Sequence, residues 1–174
     1  MSATIDTWTG RIGFLSGICA VAAWLLVAGS PAQAPEPTAS IRVGTLASGE
    51  LDVSPLGKPV LAGSGLRPGG RAETGHVRIR NQTPSRLAVA LRTVAVHEEL
   101  DGSAWIEVAD HGQPIVHGTV ASSHSWSHGK LHLSPGESRR LRVRVWIPKG
   151  ARDGWQAARG DLTLAFRASS GAQR

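Results

Sequence analysis

Histidines are concentrated in one segment of this chain, and imidazole nitrogens are common protein ligands of zinc and copper. The segment runs from Asp110 to Leu133, and two of its histidines flank Trp126 in the string SSHSWSHGK. The only methionine is Met1, so the thioether ligands expected of a copper carrier are lacking. No spacing matches a known ligand pattern, which leaves a polar loop as the alternative to a metal site. The candidate ligands are His111, His117, His124, His128 and His132.

A second string, His97-Glu98-Glu99-Leu100-Asp101, is the nearest approach to the zinc-binding motif of metalloproteases. It lacks the second histidine of H-E-x-x-H and lies at the end of a predicted strand, so it does not present two imidazoles one helical turn apart. No G-x-S-x-G element accompanies a histidine and an acid elsewhere. We therefore predict a protein that is not an enzyme and that needs no cofactor.

Three arginines, Arg140, Arg142 and Arg144, alternate with apolar residues in the clearest strand-like segment. Residues two apart on a strand project from the same face, so their electrostatic fields add. Lys and Arg total 19 against 13 for Asp and Glu, so the whole chain should attract polyanions. We predict that these arginines bind an anionic wall polymer, with a merely solvated face as the alternative. Nucleic acid is not expected, because the arginines are scattered over strands without an RNA-binding aromatic motif.

The N-terminal part predicts export. Residues 12–29 carry no charge, and Arg11 is the last basic residue before Arg42. This asymmetry predicts an N-terminus on the inner side of the membrane and a domain on the outer side. A run of about 18 residues fits both a membrane anchor through residues 12–29 and the core of a signal peptide. Residues 1–30 are therefore assigned to one of these two.

A Pro/Ala-rich spacer at residues 31–40 follows, holding the domain away from the membrane. Ala32-Gln33-Ala34 has the small-x-small form of a cleavage site, but Pro35 would follow the cut and disfavours it. The single cysteine, Cys19, lies inside the hydrophobic run, so the domain contains no disulfide. The alternatives are a protein anchored in the membrane and a protein secreted to the cell surface.

Residues 41–174 consist of short alternating apolar runs separated by Gly, Pro, Asn and Asp, and this pattern predicts an all-β domain. The number and spacing of the runs favour an immunoglobulin-like or jelly-roll-like β-sandwich over a barrel. The predicted strands are residues 75–80, 85–98, 104–108, 130–133, 137–147 and 161–168. The predicted core residues are Leu141, Val143, Val145, Leu162, Leu164 and Phe166.

Three details of this domain are predicted from local pattern. The alternation changes phase at Arg92-Thr93, which predicts a β-bulge there or a strand that crosses between sheets. Residues 149–158 have room for one helical turn, with Trp155 as a core residue. Asn81-Gln82-Thr83 has the form of a glycosylation acceptor, and a turn-forming Asn81 explains it equally well.

Several short segments follow one another in a characteristic order: residues 45–53 (TLASGELDV), 66–70 (LRPGG), 77–85 (VRIRNQTPS), 133–138 (LSPGES) and Trp155-Gln156 followed by residues 161–168. In this order they resemble the TasA and camelysin family of surface and biofilm-matrix proteins, whose export depends on a SipW-type signal peptidase. The complete absence of Tyr departs from the family pattern. The resemblance implies a sandwich fold, an extracellular location and a structural role. Camelysin relatives are described as metal-dependent proteases, which makes a metalloprotease a further alternative.

The resemblance also implies self-association, in which a freed N-terminal strand of one subunit completes the sheet of the next. The candidate donor here is Ile41 to Val53, and a retained anchor would make it fold back onto its own domain, the outcome that Pro35 favours. We thus expect an exported, non-catalytic cell-surface or matrix protein with structural or adhesive function. Its expected partners are envelope or matrix proteins. An envelope metal-binding module that uses the histidine-rich segment is the alternative.

Overall fold

The computed structural model describes residues 37–48, 50–55, 58–95 and 99–170, and the regular secondary structure of this part of the chain is nearly all β-strand. One 3₁₀ turn at Ala121–His124 is the only helical element in it. The strands are β1 (Ala39–Ser48), β2 (Leu51–Ser54), β3 (Leu61–Leu66), β4 (Glu73–Asn81), β5 (Leu87–Ala95), β6 (Trp105–Asp110), β7 (Gln113–Thr119), β8 (Ser127–Leu133), β9 (Ser138–Trp146) and β10 (Arg159–Ser170).

The strands form two five-stranded sheets. The first sheet has the order β3-β1-β10-β5-β8, and the second has the order β2-β4-β9-β6-β7. All pairings are antiparallel except that of β1 with β10, which is parallel. Between Ser48 and Leu51 the chain passes from the first sheet to the second, so the segment predicted as one donor strand is divided into two. The all-β prediction is confirmed, and two sheets replace the alternative of a barrel.

The core lies between the two sheets, because each sheet turns one row of alternating apolar side chains inward. Leu141, Val143 and Val145 of β9 are fully buried, and so are Leu164 and Phe166 of β10. Burial of such side chains is the main favourable term in folding, about 1.5–3 kcal/mol for each large aliphatic residue. All six predicted core residues are buried, and the prediction of the core is confirmed.

The predicted bulge or sheet crossing at Arg92-Thr93 is wrong. The pairing of β5 with β10 continues without a shift of register through Thr93, and β5 stays in one sheet. The core position falls on Thr93, which is 1% exposed, while Val94 points outward and is 37% exposed. The Thr93 hydroxyl donates to the Val120 carbonyl at 3.3 Å, so a polar residue is tolerated inside the sandwich.

Two strands, β3 and β7, were not predicted, and the proposed helical turn at residues 149–158 is a series of bends and turns instead. Trp155 is half-buried and packs against the core, as predicted. The Gly- and Pro-containing segments around residues 66–70 and 134–137 form turns, with positive φ at Gly69 (68°) and Gly136 (72°). Each conformation is one that glycine adopts without steric cost.

The predicted signal or anchor, the spacer up to residue 36 and His97-Glu98 lie outside the described residues. Within the described residues, no helix has the length and apolar character needed to cross a membrane.

Candidate anion-binding face

The outward face of the second sheet carries a dense group of cationic side chains. Because Val77 and Ile79 of β4 and Leu141 and Val143 of β9 point into the core, the residues between them point to solvent. The register of β4 and β9 then places cations opposite one another: Arg78 faces Arg140, and His76 faces Arg142. The group comprises His76, Arg78, Arg80, Arg140, Arg142 and Arg144, and we call it the arginine face.

Only part of this charge is neutralised within the sheet. Glu107 of β6 lies opposite Arg144, and its Oε1 atom is 3.2 Å from Nη2 of Arg142 and 3.6 Å from Nη1 of Arg144. Arg78 and Arg140 form no ion pair with any carboxylate of the described residues. Like charges directly opposite one another destabilise a sheet, so an anion bound between Arg78 and Arg140 would relieve their repulsion.

A depression in the sheet surface adjoins Arg140. It has a volume of about 290 Å³, and Arg140 and Arg142 contribute to its wall. Its other lining residues are His76, Ala109, His111 and Gly112, so the lining contains two guanidinium groups, two imidazoles and no carboxylate. A lining of this composition offers several N–H donors to an oxyanion.

The position of His111 follows from a tight turn between β6 and β7. Asp110 pairs with Gln113, and the two residues between them, His111 and Gly112, both have positive φ (46° and 85°). Two-residue turns with positive φ at both positions match the twist of antiparallel strands and are typical of x-Gly sequences. The Asp-His-Gly-Gln string was therefore the signal that could have revealed this hairpin in the sequence.

An aromatic cluster lies at one end of the arginine face. Trp105 of β6 is directly opposite Trp146 of β9, with ring centroids 6.1 Å apart. His117 of β7 contacts both rings edge-on, at 5.4 and 5.9 Å, and Arg144 lies over the Trp146 ring at 5.6 Å. Trp146 follows Arg144 by two residues on β9, so alternation along the strand puts both on the same side. The approach of Trp105 depends on strand register, which sequence pattern does not determine.

The structure does not gather the candidate metal ligands. His111 occupies the β6–β7 turn, His117 belongs to the aromatic cluster, and His132 projects outward from β8 in the first sheet. His124 ends the 3₁₀ turn, with Nε2 3.5 Å from Oδ2 of Asp101. His128 lies in β8, and its side chain is outside the described set. Over residues 37–48, 50–55, 58–95 and 99–170, no three His, Cys, Asp or Glu side chains are close enough to hold a metal ion.

Comparisons with known proteins do not indicate a function for this chain. No protein-family model matches the chain, and no curated protein matches its sequence. Among solved structures, the chain is similar to an ASH/PapD-like domain, PapD-like domain 7 of human CEP192, with 5% sequence identity and a TM-score of 0.24. The match covers 79% of this chain and 87% of that chain. A likeness at this TM-score carries no argument about function.

Proposed function

We propose that this chain is an exported, non-catalytic surface or matrix protein whose arginine face binds an anionic polymer of the cell envelope. The observation that carries the proposal is the direct opposition of Arg78 and Arg140 across β4 and β9 without a described carboxylate partner. An oxyanion between the two guanidinium groups would replace a repulsion by two charge-assisted hydrogen bonds.

The shape of the face favours an extended polymer over a small substrate. The outward arginines of β9 are two residues apart, which corresponds to a spacing of about 7 Å along a strand. A second row, Arg78 and Arg80, runs beside them on β4. Two rows of cations on neighbouring strands match a chain of repeated anionic groups, because many weak charge contacts add up along such a chain. Exposed contacts of this kind weaken as salt rises.

Export is supported by the uncharged run at residues 12–29 with Arg11 on its N-terminal side. We retain the kinship with the TasA and camelysin family and an immunoglobulin-like or jelly-roll-like topology as parts of the same proposal. In this scheme the domain lies outside the cytoplasmic membrane, anchored or released, where envelope polymers and matrix proteins are its partners.

The test is cosedimentation of the full chain, in neutral detergent, with purified cell wall across a salt series. The double variant Arg78→Gln/Arg140→Gln removes the opposed pair. The matched control, Arg152→Gln/Arg159→Gln, removes the same charge from exposed residues at the loop before β10 and its first residue. We expect the first variant to lose roughly tenfold in affinity at low salt and the control to lose little. Equal losses of affinity in both variants would show that binding depends on net charge alone, and this result would overturn the proposal.

A further inference from the structure

A second cationic group lies on the outward face of the first sheet, on the opposite side of the sandwich from the arginine face. Trp126, just before β8, is half-buried and contacts two guanidinium groups. The Cζ atom of Arg92 in β5 is 4.7 Å from the centroid of its ring, and that of Arg167 in β10 is 4.9 Å away. Arg92 faces Ala165 across the strand pair, so Arg167 is its diagonal neighbour.

These two arginines are not neutralised by the rest of the described chain. Neither forms an ion pair with a described carboxylate. The Nε atom of Arg92 is buried and has no hydrogen-bond acceptor. Cation–π contact with Trp126 offsets part of the cost of holding two like charges together, but it leaves the N–H donors unused. The other N–H groups of the two guanidiniums are the donors that a carboxylate from another molecule would use.

The neighbourhood of this pair is apolar. Leu46 of β1 faces Ala165, so Leu46, Ala165 and Arg92 form one row across three adjacent strands. Leu46 is 59% exposed and Val94, farther along β5, is 37% exposed. These two are the exposed large hydrophobic residues of the described chain, and both lie on this face. Trp and Arg beside exposed aliphatic side chains form the combination that dominates protein–protein hot spots.

We infer that Arg92, Trp126 and Arg167, with Leu46 beside them, form a docking site for an acidic, apolar peptide segment of a partner protein. A carboxylate of the partner accepts hydrogen bonds from the guanidinium groups, and its neighbouring apolar side chains pack on Leu46. A saccharide fits less well, because the guanidinium groups already lie close to the Trp126 ring and the adjacent exposed side chains are aliphatic. The site goes beyond the polymer-binding function and does not depend on it.

The test is calorimetric titration of the full chain in neutral detergent with the blocked peptide Leu-Glu-Leu-Glu-Leu, alongside its glutamine analogue and trigalacturonate. The indole N–H resonance of Trp126, assigned through Trp126→Phe, reports whether binding is local. Arg92→Gln and Arg167→Gln remove the two cations one at a time. Arg42→Gln is the matched control, because Arg42 is exposed on the same face but lies opposite Asp161.

We expect the acidic peptide alone to bind with saturation and to shift the Trp126 resonance. Arg92→Gln and Arg167→Gln should each weaken binding roughly tenfold, and Arg42→Gln less than about threefold. Thermal unfolding of each variant verifies that it folds. Arg167 is exposed, so Arg167→Gln should disturb the sheet less than Arg92→Gln. Absence of saturable binding, equal loss in Arg42→Gln, or tighter binding of trigalacturonate at Trp126 would each overturn the assignment.

Discussion

The side-chain amide of Asn81 joins the two sheets: its Nδ2 atom, at the end of β4, donates to the carbonyl of Leu133, at the end of β8, at 3.1 Å. The same amide also donates to the carbonyls of Ser134 (3.0 Å) and Ser85 (2.7 Å). Its Oδ1 accepts from the backbone N–H and the hydroxyl of Thr83, both at 2.8 Å. Asn81 is fully buried, so the Asn-x-Thr string organises a turn and has no accessible amide for glycosylation in the folded chain.

Asn81→Asp should destabilise the domain strongly. A carboxylate in that place removes the donor shared by three carbonyl oxygens and buries a charge against them, at a cost of about 3 kcal/mol or more. Urea unfolding monitored by circular dichroism measures the change. Gln82→Asp introduces the same group at the exposed neighbour in the same turn and should shift the free energy of unfolding by less than about 0.5 kcal/mol. Comparable losses in the two variants would contradict the joining role of Asn81.

Gly75 in β4 should not tolerate a methyl group. A Cβ atom there would overlap the carbonyl oxygen of Val60, which is backbone and has little freedom to move. We expect Gly75→Ala to cost about 1–3 kcal/mol, the usual range for forcing extra volume into a packed site. Gly44→Ala is the control, because its nearest neighbour, the Leu162 carbonyl oxygen, would be at an ordinary 3.9 Å. An equal fall in melting temperature for both variants would show that the loss of glycine itself, rather than the Val60 contact, causes the destabilisation.

The turn before β9 should make stability depend on acid pH. The backbone N–H of Ser134, 2.7 Å from Oε2 of Glu137, and the guanidinium of Arg139 hold the pKa of Glu137 below its ordinary value of 4.5. A carboxyl whose pKa is lower in the folded state contributes stability above the unfolded pKa and loses it as the pH falls through the folded pKa. Glu137→Gln should therefore be less stable than wild type at pH 7.

The stability difference between wild type and Glu137→Gln should shrink as the pH is lowered from above 4.5 into the range where Glu137 itself is protonated. Urea unfolding at pH 7, 5 and 3 follows this convergence. Glu50→Gln, an exposed carboxylate between β1 and β2, serves as the control. A difference that stays constant from pH 7 to pH 3 would rule out the ionised Glu137 carboxylate as its source.

The sequence pattern predicted the strands in which apolar residues occupy the buried positions and polar residues most of the exposed ones. In β9 and β10 each inward position is apolar and most outward positions are polar, so their faces were predictable. In β5 the pattern misled, because the acceptor that satisfies Thr93 is the Val120 carbonyl, which is distant in sequence. β3 (LAGSGL) and β7 (QPIVHGT) have weak strand propensity and form by pairing with β1 and β6.

The candidate site was predictable to the same degree. Alternation placed Arg140, Arg142 and Arg144 on one face, and the structure has them there. Their partners across the sheet, Arg78 and Glu107, are set by register, and register results from packing of the whole sandwich. The Arg92–Trp126–Arg167 cluster joins β5, β10 and the residue before β8, and it was not predicted for the same reason.

Strand β1 pairs with two strands of its own chain, and this pairing bears on the predicted self-association. β1 lies between β3 and β10, and its parallel pairing with β10 runs from Ser40 to Ser48. Ile41 and Val43 of β1 are buried in the core. A chain without β1 would therefore expose an edge of the first sheet and the core residues that these two side chains cover. We expect the chain from residue 35 onward to keep β1 in its own sheet and to remain monomeric in light scattering at increasing concentration.

A second experiment uses a chain that begins at residue 49. It lacks β1, and we expect it to be unstable alone and to be stabilised by a peptide of residues 37–48, because that peptide restores the pairs with β3 and β10. The same peptide with Val43→Asp should fail, since Val43 is fully buried and its replacement places a charge in the core. Concentration-dependent filaments of the longer chain, lost on deletion of residues 41–53, would show instead that β1 is exchanged between subunits.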